Sequence, residues 1–121
     1  MSIQEEKSRW QFLSGEAEAG RLYLDPSVAQ SCRDACNRQI DLYTTLRDNL
    51  KIMSRVTGLG RFDCSDALAG MLGQKAMGGD GDVDAALKEH IEVVTLIRDT
   101  IQKSVEKLEA HDESYAKLFE N

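Results

Sequence analysis

Apolar residues recur at helical spacing along nearly the whole chain, and the pattern changes character three times. Over residues 3 to 19, Ile3, Trp10, Leu13 and Ala17 mark one narrow stripe, which Gly15 weakens and Gly20 ends. The spacing predicts a short first helix that must lean on another element. "RLYLDPSV" follows, with Leu22-Tyr23-Leu24 reading as extended, Asp25 as an N-cap and Pro26 as the first helical residue, where a missing N–H removes no bond. From there a second helix is predicted to about Val56. Ala29, Cys32, Cys36, Tyr43, Leu46, Leu50 and Met53 recur along it, interrupted by Gln39; such a helix is roughly 45 Å long.

"VTGLGRFDCSDALAGMLGQKAMGGDGDVD" gathers most of the glycines and separates this helix from the last one. Gly58 and Gly60 end the second helix, Asp63 or Ser65 can cap a short third one, and Phe62, Leu68, Met71 and Leu72 are expected to tuck inward. The last helix, predicted over about residues 82 to 119, has the clearest pattern. Leu87, Val94, Ile101, Leu108 and Tyr115 repeat every seventh residue, with Ile91, Val105 and Phe119 interleaved and Arg98 and Asp112 as polar seam positions. Val93 and Ile97 widen the stripe beyond the reach of one partner helix. A last helix of roughly 55 Å on one shorter neighbour would leave apolar surface wet, which predicts dimerisation.

The expected fold is therefore all-α: a long antiparallel helical hairpin with an N-terminal helix and a short helix in the connector, dimerising into a four-helix bundle. A length of 121 residues fits one domain over 1–121, with an N-terminal extension at 1–24 and a glycine-rich connector at 57–81. The seam expected to meet the neighbour and the partner comprises Tyr43, Leu46, Leu50 and Met53 on the second helix and Leu87, Ile91, Val94, Ile101, Val105 and Leu108 on the last.

Composition narrows the function classes. A net charge of −6 makes a nucleic-acid surface improbable, because neutralising phosphates takes clustered Lys and Arg. No apolar run reaches eighteen residues, and charges of both signs mix along the last helix, so neither stable membrane insertion nor an anionic-lipid surface is expected. "MSIQEEKSRWQFLSG" does not resemble a Sec-type signal, which points to synthesis in the cytoplasm. Three cysteines, Cys32, Cys36 and Cys64, are too few for a disulfide scaffold.

No catalytic constellation is present, and no enzyme activity or cofactor is expected. Cys32 and Cys36 lie one helical turn apart, which suits metal ligation, but no companion ligands accompany them, and packing is the simpler role. "DGDVDAALKEHI" imitates the start of a calcium loop, yet Ala85 stands where a glycine is needed and Ile91 where a bidentate Glu is needed; helix capping by Asp80 or Asp82 accounts for the acids. His90 and His111 are three heptads apart, about 30 Å on one helix, and cannot share a site. Gly58 and Gly60 follow a helix rather than a strand, which removes the nucleotide-loop reading. Trp10 and Tyr23 read as hydrophobic anchors. Two function classes remain: an interaction protein acting by helix pairing, and a helical-bundle sensor or regulator holding a metal or small ligand with Cys32 and Cys36.

From about Gly20 onward, the succession "GRLYLDPSVAQSCRDACNRQIDLYTTLRDNL", "GLGRF", "SDALAGMLGQKA" and "LKEHIEVVTLIRDTIQKSVEKLEAHDESYA" resembles the actinobacterial WXG-like helical-hairpin proteins of type VII (ESX) secretion. The resemblance implies a small export substrate or accessory factor that pairs with itself, a paralogous WXG-like protein or an effector, and meets the secretion ATPase. It departs from the family in two places. The Trp-x-Gly turn is replaced by Gly58-Leu59-Gly60-Arg61-Phe62, and the Tyr-x-x-x-Asp/Glu export signal survives only in degenerate form, Tyr115 being followed by Phe119 at the required offset and by Glu120 one residue late. Export would then depend on a partner, or the chain would act as an intracellular adaptor.

Overall fold

In the computed structural model, which describes residues 2–61 and 63–118, the chain is all-α, with four helices and no strand among those residues. Ser2 opens α1 (Ile3–Glu18) with a capping box, its hydroxyl accepting the Glu5 N–H at 3.1 Å while the Glu5 carboxylate accepts the Ser2 N–H. Gly20 closes the helix in the left-handed region at φ 76°, so that the Arg21 N–H reaches the Glu16 carbonyl at 2.9 Å and the Gly20 N–H reaches Ala17.

Helix α2 (Pro26–Met53) begins as its local chemistry demands: Asp25 Oδ1 accepts from the Ser27 N–H at 2.9 Å, the Ser27 hydroxyl at 2.6 Å and the Val28 N–H at 3.3 Å. These bonds, the Ser27 hydroxyl foremost, hold the Asp25 carboxyl below the usual carboxylate range. The helix stops at Met53, short of the expected Val56. There Ser54 donates its hydroxyl to the Lys51 carbonyl at 2.7 Å and the Arg55 N–H tightens onto Ile52.

The other two helices are α3 (Asp63–Ala76) and α4 (Val83–Lys117). Asp82, not Asp80, caps α4. Its Oδ1 accepts the Ala85 N–H at 2.7 Å, while Oδ2 accepts the Gly78 N–H at 2.6 Å, so one carboxylate that is 8% exposed ties the end of α3 to the start of α4. Ser65 lies inside α3 rather than at its cap, donating its hydroxyl back to the Leu59 carbonyl at 2.9 Å.

Two compact units divide the chain, Met1–Ile40 with Glu92–Asn121, and Asp41–Ile91. In the first, α1 lies beside α4 in the same direction: Lys7 pairs with Glu92 at 3.0 Å, Lys103 reaches Ser14, and Lys107 pairs with Glu18 at 3.6 Å. Helix α2 runs the other way along α4, Arg33 bonding Gln102 and Arg98 donating to Asn37 at 3.1 Å. Ala29, Ile101 and Val105 form the buried cluster there, with Leu24, Cys36 and Ile97 against it. Thr100 and Ser104 are fully buried one residue before Ile101 and Val105, on the side from which Lys103 and Lys107 reach α1. Their hydroxyls turn back to the Leu96 and Ile101 carbonyls, so the small side chains permit close packing without orphaned polar atoms.

In the second unit α3 departs from expectation. Leu68, Met71 and Leu72 are 42%, 55% and 44% exposed, whereas Ser65, Gly73 and Ala76 are buried. The reason is proximity: a Cβ on Gly73 would stand 2.3 Å from the Ser54 carbonyl oxygen, so only a small-residue face can approach the end of α2, and the large side chains turn away. Phe62 lies outside the described residues.

Candidate helix-pairing surface

The seam residues of α4 are largely consumed within the chain. Ile101 and Val105 are buried at 6% and 4% exposure, and Leu87, Ile91, Val94 and Leu108 are partly buried. In the first unit α1 also lies beside α4, on the side of Thr100, Ser104, Lys103 and Lys107. The polar seam residue Arg98 donates to Asn37 of α2 and also meets Asp99 at 3.2 Å, while Asp112 is exposed.

The seam of α2 divides in two. Leu50 is 6% exposed and Tyr43 is partly buried, its ring edge-on to His90 at a centroid distance of 5.8 Å. One turn further, Arg47 donates to Asp84 at 2.7 Å, and Lys88 adds a contact to the same carboxylate at 3.9 Å. The Arg47 guanidinium holds the Asp84 carboxyl below the usual carboxylate range, against the opposing effect of burial. Leu46 and Met53, by contrast, remain 40% and 59% exposed.

These two belong to a strip that heptad periodicity alone does not separate from the inner seam. Val28, Cys32, Ala35, Gln39, Leu42, Leu46, Asn49 and Met53 follow one another at alternating intervals of four and three residues. All are exposed except the partly buried Gln39. The strip covers about 100° of the helix circumference, and the charged residues of α2 (Arg33, Asp34, Arg38, Asp41, Arg47, Asp48 and Lys51) all lie outside it. Absence of charge was the available signal: a helix that is polar elsewhere leaves one outward face without a single ionic group.

The remaining candidates bring no chemistry together. Cys32 and Cys64 are exposed and Cys36 partly buried, all three as free thiols; burial first, then the neighbouring Cys32, pushes the Cys36 thiol up. No group of three or more metal-ligating side chains assembles among the described residues. His90 Nδ1 lies 2.7 Å from the Ala86 carbonyl oxygen, and His111 stacks on Tyr115. A polar cleft of about 400 Å³ in the first unit is lined by Gln30, Arg33, Asp34, Asn37, Arg98, Asp99 and Gln102. Trp10 is partly buried and Tyr23 half exposed. Tyr115 is 58% exposed, while Glu120 of the degenerate export signal lies outside the described residues. No helix among the described residues is long and apolar enough to cross a membrane.

No family model, no curated protein and no solved structure matches the chain.

Proposed function

We propose that this protein is a non-enzymatic, helix-pairing component of a type VII secretion pathway, acting as an export substrate or as the targeting partner of one. The carrying observation is unpartnered apolar surface: Leu42, Leu46 and Met53 stand exposed on the uncharged strip of α2, and Leu68, Met71 and Leu72 on one face of α3. Contiguous apolar faces of this kind mark association surfaces. A partner hairpin laid on α2 would complete a bundle of four helices, with the inner seam serving the chain's own core and the outer strip serving the partner. The secretion setting rests on the resemblance of the segments from Gly20 onward to the WXG-like proteins.

The test compares tagged protein in culture filtrate and lysate, with and without the secretion ATPase and beside a cytoplasmic leakage marker. ATPase-dependent appearance in the filtrate is expected. Retention in the lysate in both strains refutes export and leaves an intracellular adaptor. Leu46→Asp is the appropriate interface probe, because Ile101→Asp would break the buried cluster of the first unit before any partner was tested.

A further inference from the structure

We propose that the polar cleft between α2 and α4 in the first unit binds a small zwitterion of the α-amino-acid class, its carboxylate held by Arg33 and its ammonium by Asp34. The inference is independent of the helix-pairing reading and of the secretion setting. Gln30, Arg33, Asp34 and Asn37 share one face of α2, at the spacing i, i+3, i+4, i+7, and Arg98 and Gln102 stand one turn apart on α4. Arg33 bonds Gln102, and Arg98 donates to Asn37 at 3.1 Å, so the antiparallel helices set both guanidinium groups on one opening of about 400 Å³. All of these residues belong to the first unit.

The two cations differ in what they already hold. Arg98 has an anion beside it, Asp99 at 3.2 Å. Arg33 pairs with no carboxylate among the described residues: Nη1 donates to the Gln102 carboxamide oxygen, Nη2 donates to that of Gln30, and the buried Nε–H has no acceptor. A guanidinium carries five N–H donors. Neutral oxygens take one on each Nη of Arg33, which leaves one on each Nη for an incoming carboxylate. A partly buried cation met only by neutral acceptors is under-compensated, and a bound anion relieves that.

Asp34 is the complementary half. It is exposed and accepts from Gln30 Nε2 at 2.9 Å, and it makes no ion pair among the described residues. Adjacent residues on a helix do not face each other, so Arg33 and Asp34 leave each other's charge unmet. One carboxamide bridges them, Gln30 accepting from Arg33 through its oxygen and donating to Asp34 through its nitrogen. That carboxamide measures the gap: its acceptor and donor are two bonds apart, and in an α-amino acid the carboxylate oxygen and the ammonium nitrogen are three bonds apart. Lying alongside Gln30, the ligand repeats the same pattern with full charges. Net charge selects the same class. In a chain of net charge −6, with Asp34 and Asp99 on the cleft wall, a free anion is repelled, whereas a zwitterion carries no net charge.

Titration of the full chain with L-alanine tests this, followed by the Arg33 Nε–H and Gln30 side-chain amide signals in proton–nitrogen correlation NMR at low salt and about pH 7, where both partners are ionised. Saturable shifts of both signals are expected, with a Kd on the order of 10 mM, as suits two exposed ion pairs in an open cleft. Propionate, which is alanine without its ammonium group, is expected to bind at least about fivefold more weakly, and inorganic phosphate no better than propionate. Asp34→Asn is expected to bring alanine down to the level of propionate and to leave propionate unchanged. Arg33→Gln is expected to abolish binding of both, with helical circular dichroism unaltered; should that variant lose helix, the exposed Asp34→Asn decides alone. The proposal is overturned by the absence of saturable shifts up to about 100 mM alanine, by alanine affinity that survives Asp34→Asn, or by propionate or phosphate binding as tightly as alanine. None of these outcomes alters the filtrate test or the Leu46→Asp probe, so the two readings fail separately.

Discussion

Asp82 is the most informative single position for the architecture of the connector, and Asp82→Ala removes two bonds at once. The N-cap bond to the Ala85 N–H is worth about 1 kcal/mol, within a usual range of 0.5–2. The bond to the Gly78 N–H, at 2.6 Å from an anionic acceptor, belongs to a class worth roughly 1.5–3 kcal/mol. With Asp82 only 8% exposed, water replaces the lost acceptor poorly, but bonds that share one carboxylate are not additive. A loss of about 2–3 kcal/mol is expected, a drop of roughly 8–12 °C in Tm for a chain of this size. Urea denaturation followed by helical circular dichroism measures it. Amide hydrogen exchange locates it, the Gly78 and Ala85 amides losing protection ahead of those in the buried cluster of the first unit. Asp80→Ala is the control: its side chain is exposed and the cost should stay within about 0.5 kcal/mol. Asp82→Asn keeps a capping oxygen and should fall between the two. If Asp82→Ala and Asp80→Ala prove equally mild, the double cap does not hold the two helices, and the account of the connector is wrong.

Two further outcomes follow from neighbouring geometry. Gly73→Ala is expected to cost about 1–3 kcal/mol, since its Cβ would meet the Ser54 carbonyl oxygen at 2.3 Å, whereas Gly70→Ala meets nothing within 4 Å and should gain up to about 1 kcal/mol in helix propensity; equal effects in denaturation midpoints would refute the close approach of α3 to the end of α2. Asp84 and Asp25 have folded-state pKa values below their unfolded ones, so they contribute stability above the ordinary Asp value of about 3.9 that is lost as pH falls through the depressed folded value. Asp84→Asn should therefore be less stable at neutral pH and show a shallower decline on acidification, Asp25 retaining part of it, and an unchanged slope would show that the Arg47 pair does not bias the titration.

What the sequence by itself determined is local. Ser2, Asp25-Pro26, Gly20 and the glycines after Met53 act within a few residues of themselves, through hydrogen bonds and backbone freedom that no distant contact alters, and the helices begin and end close to where those residues stand. Candidate faces were equally visible, because a period of 3.6 residues sorts side chains by direction whatever surrounds them. Which face meets which neighbour was decided only in three dimensions. For α4, the sequence had no means of showing that α1, some eighty residues away, would lie beside it in the first unit. On α2 two overlapping strips competed, and in the second unit Tyr43 meets His90 and Arg47 meets Asp84, both from α4, while Leu46 and Met53 stay exposed. On α3 hydrophobicity pointed to Leu68, Met71 and Leu72, but these stay exposed while the backbone approaches Ser54 at Gly73, where no side chain fits. Periodicity gives a helix its faces; the spacing between backbones decides which of them are used, and here it leaves one uncharged strip facing outward.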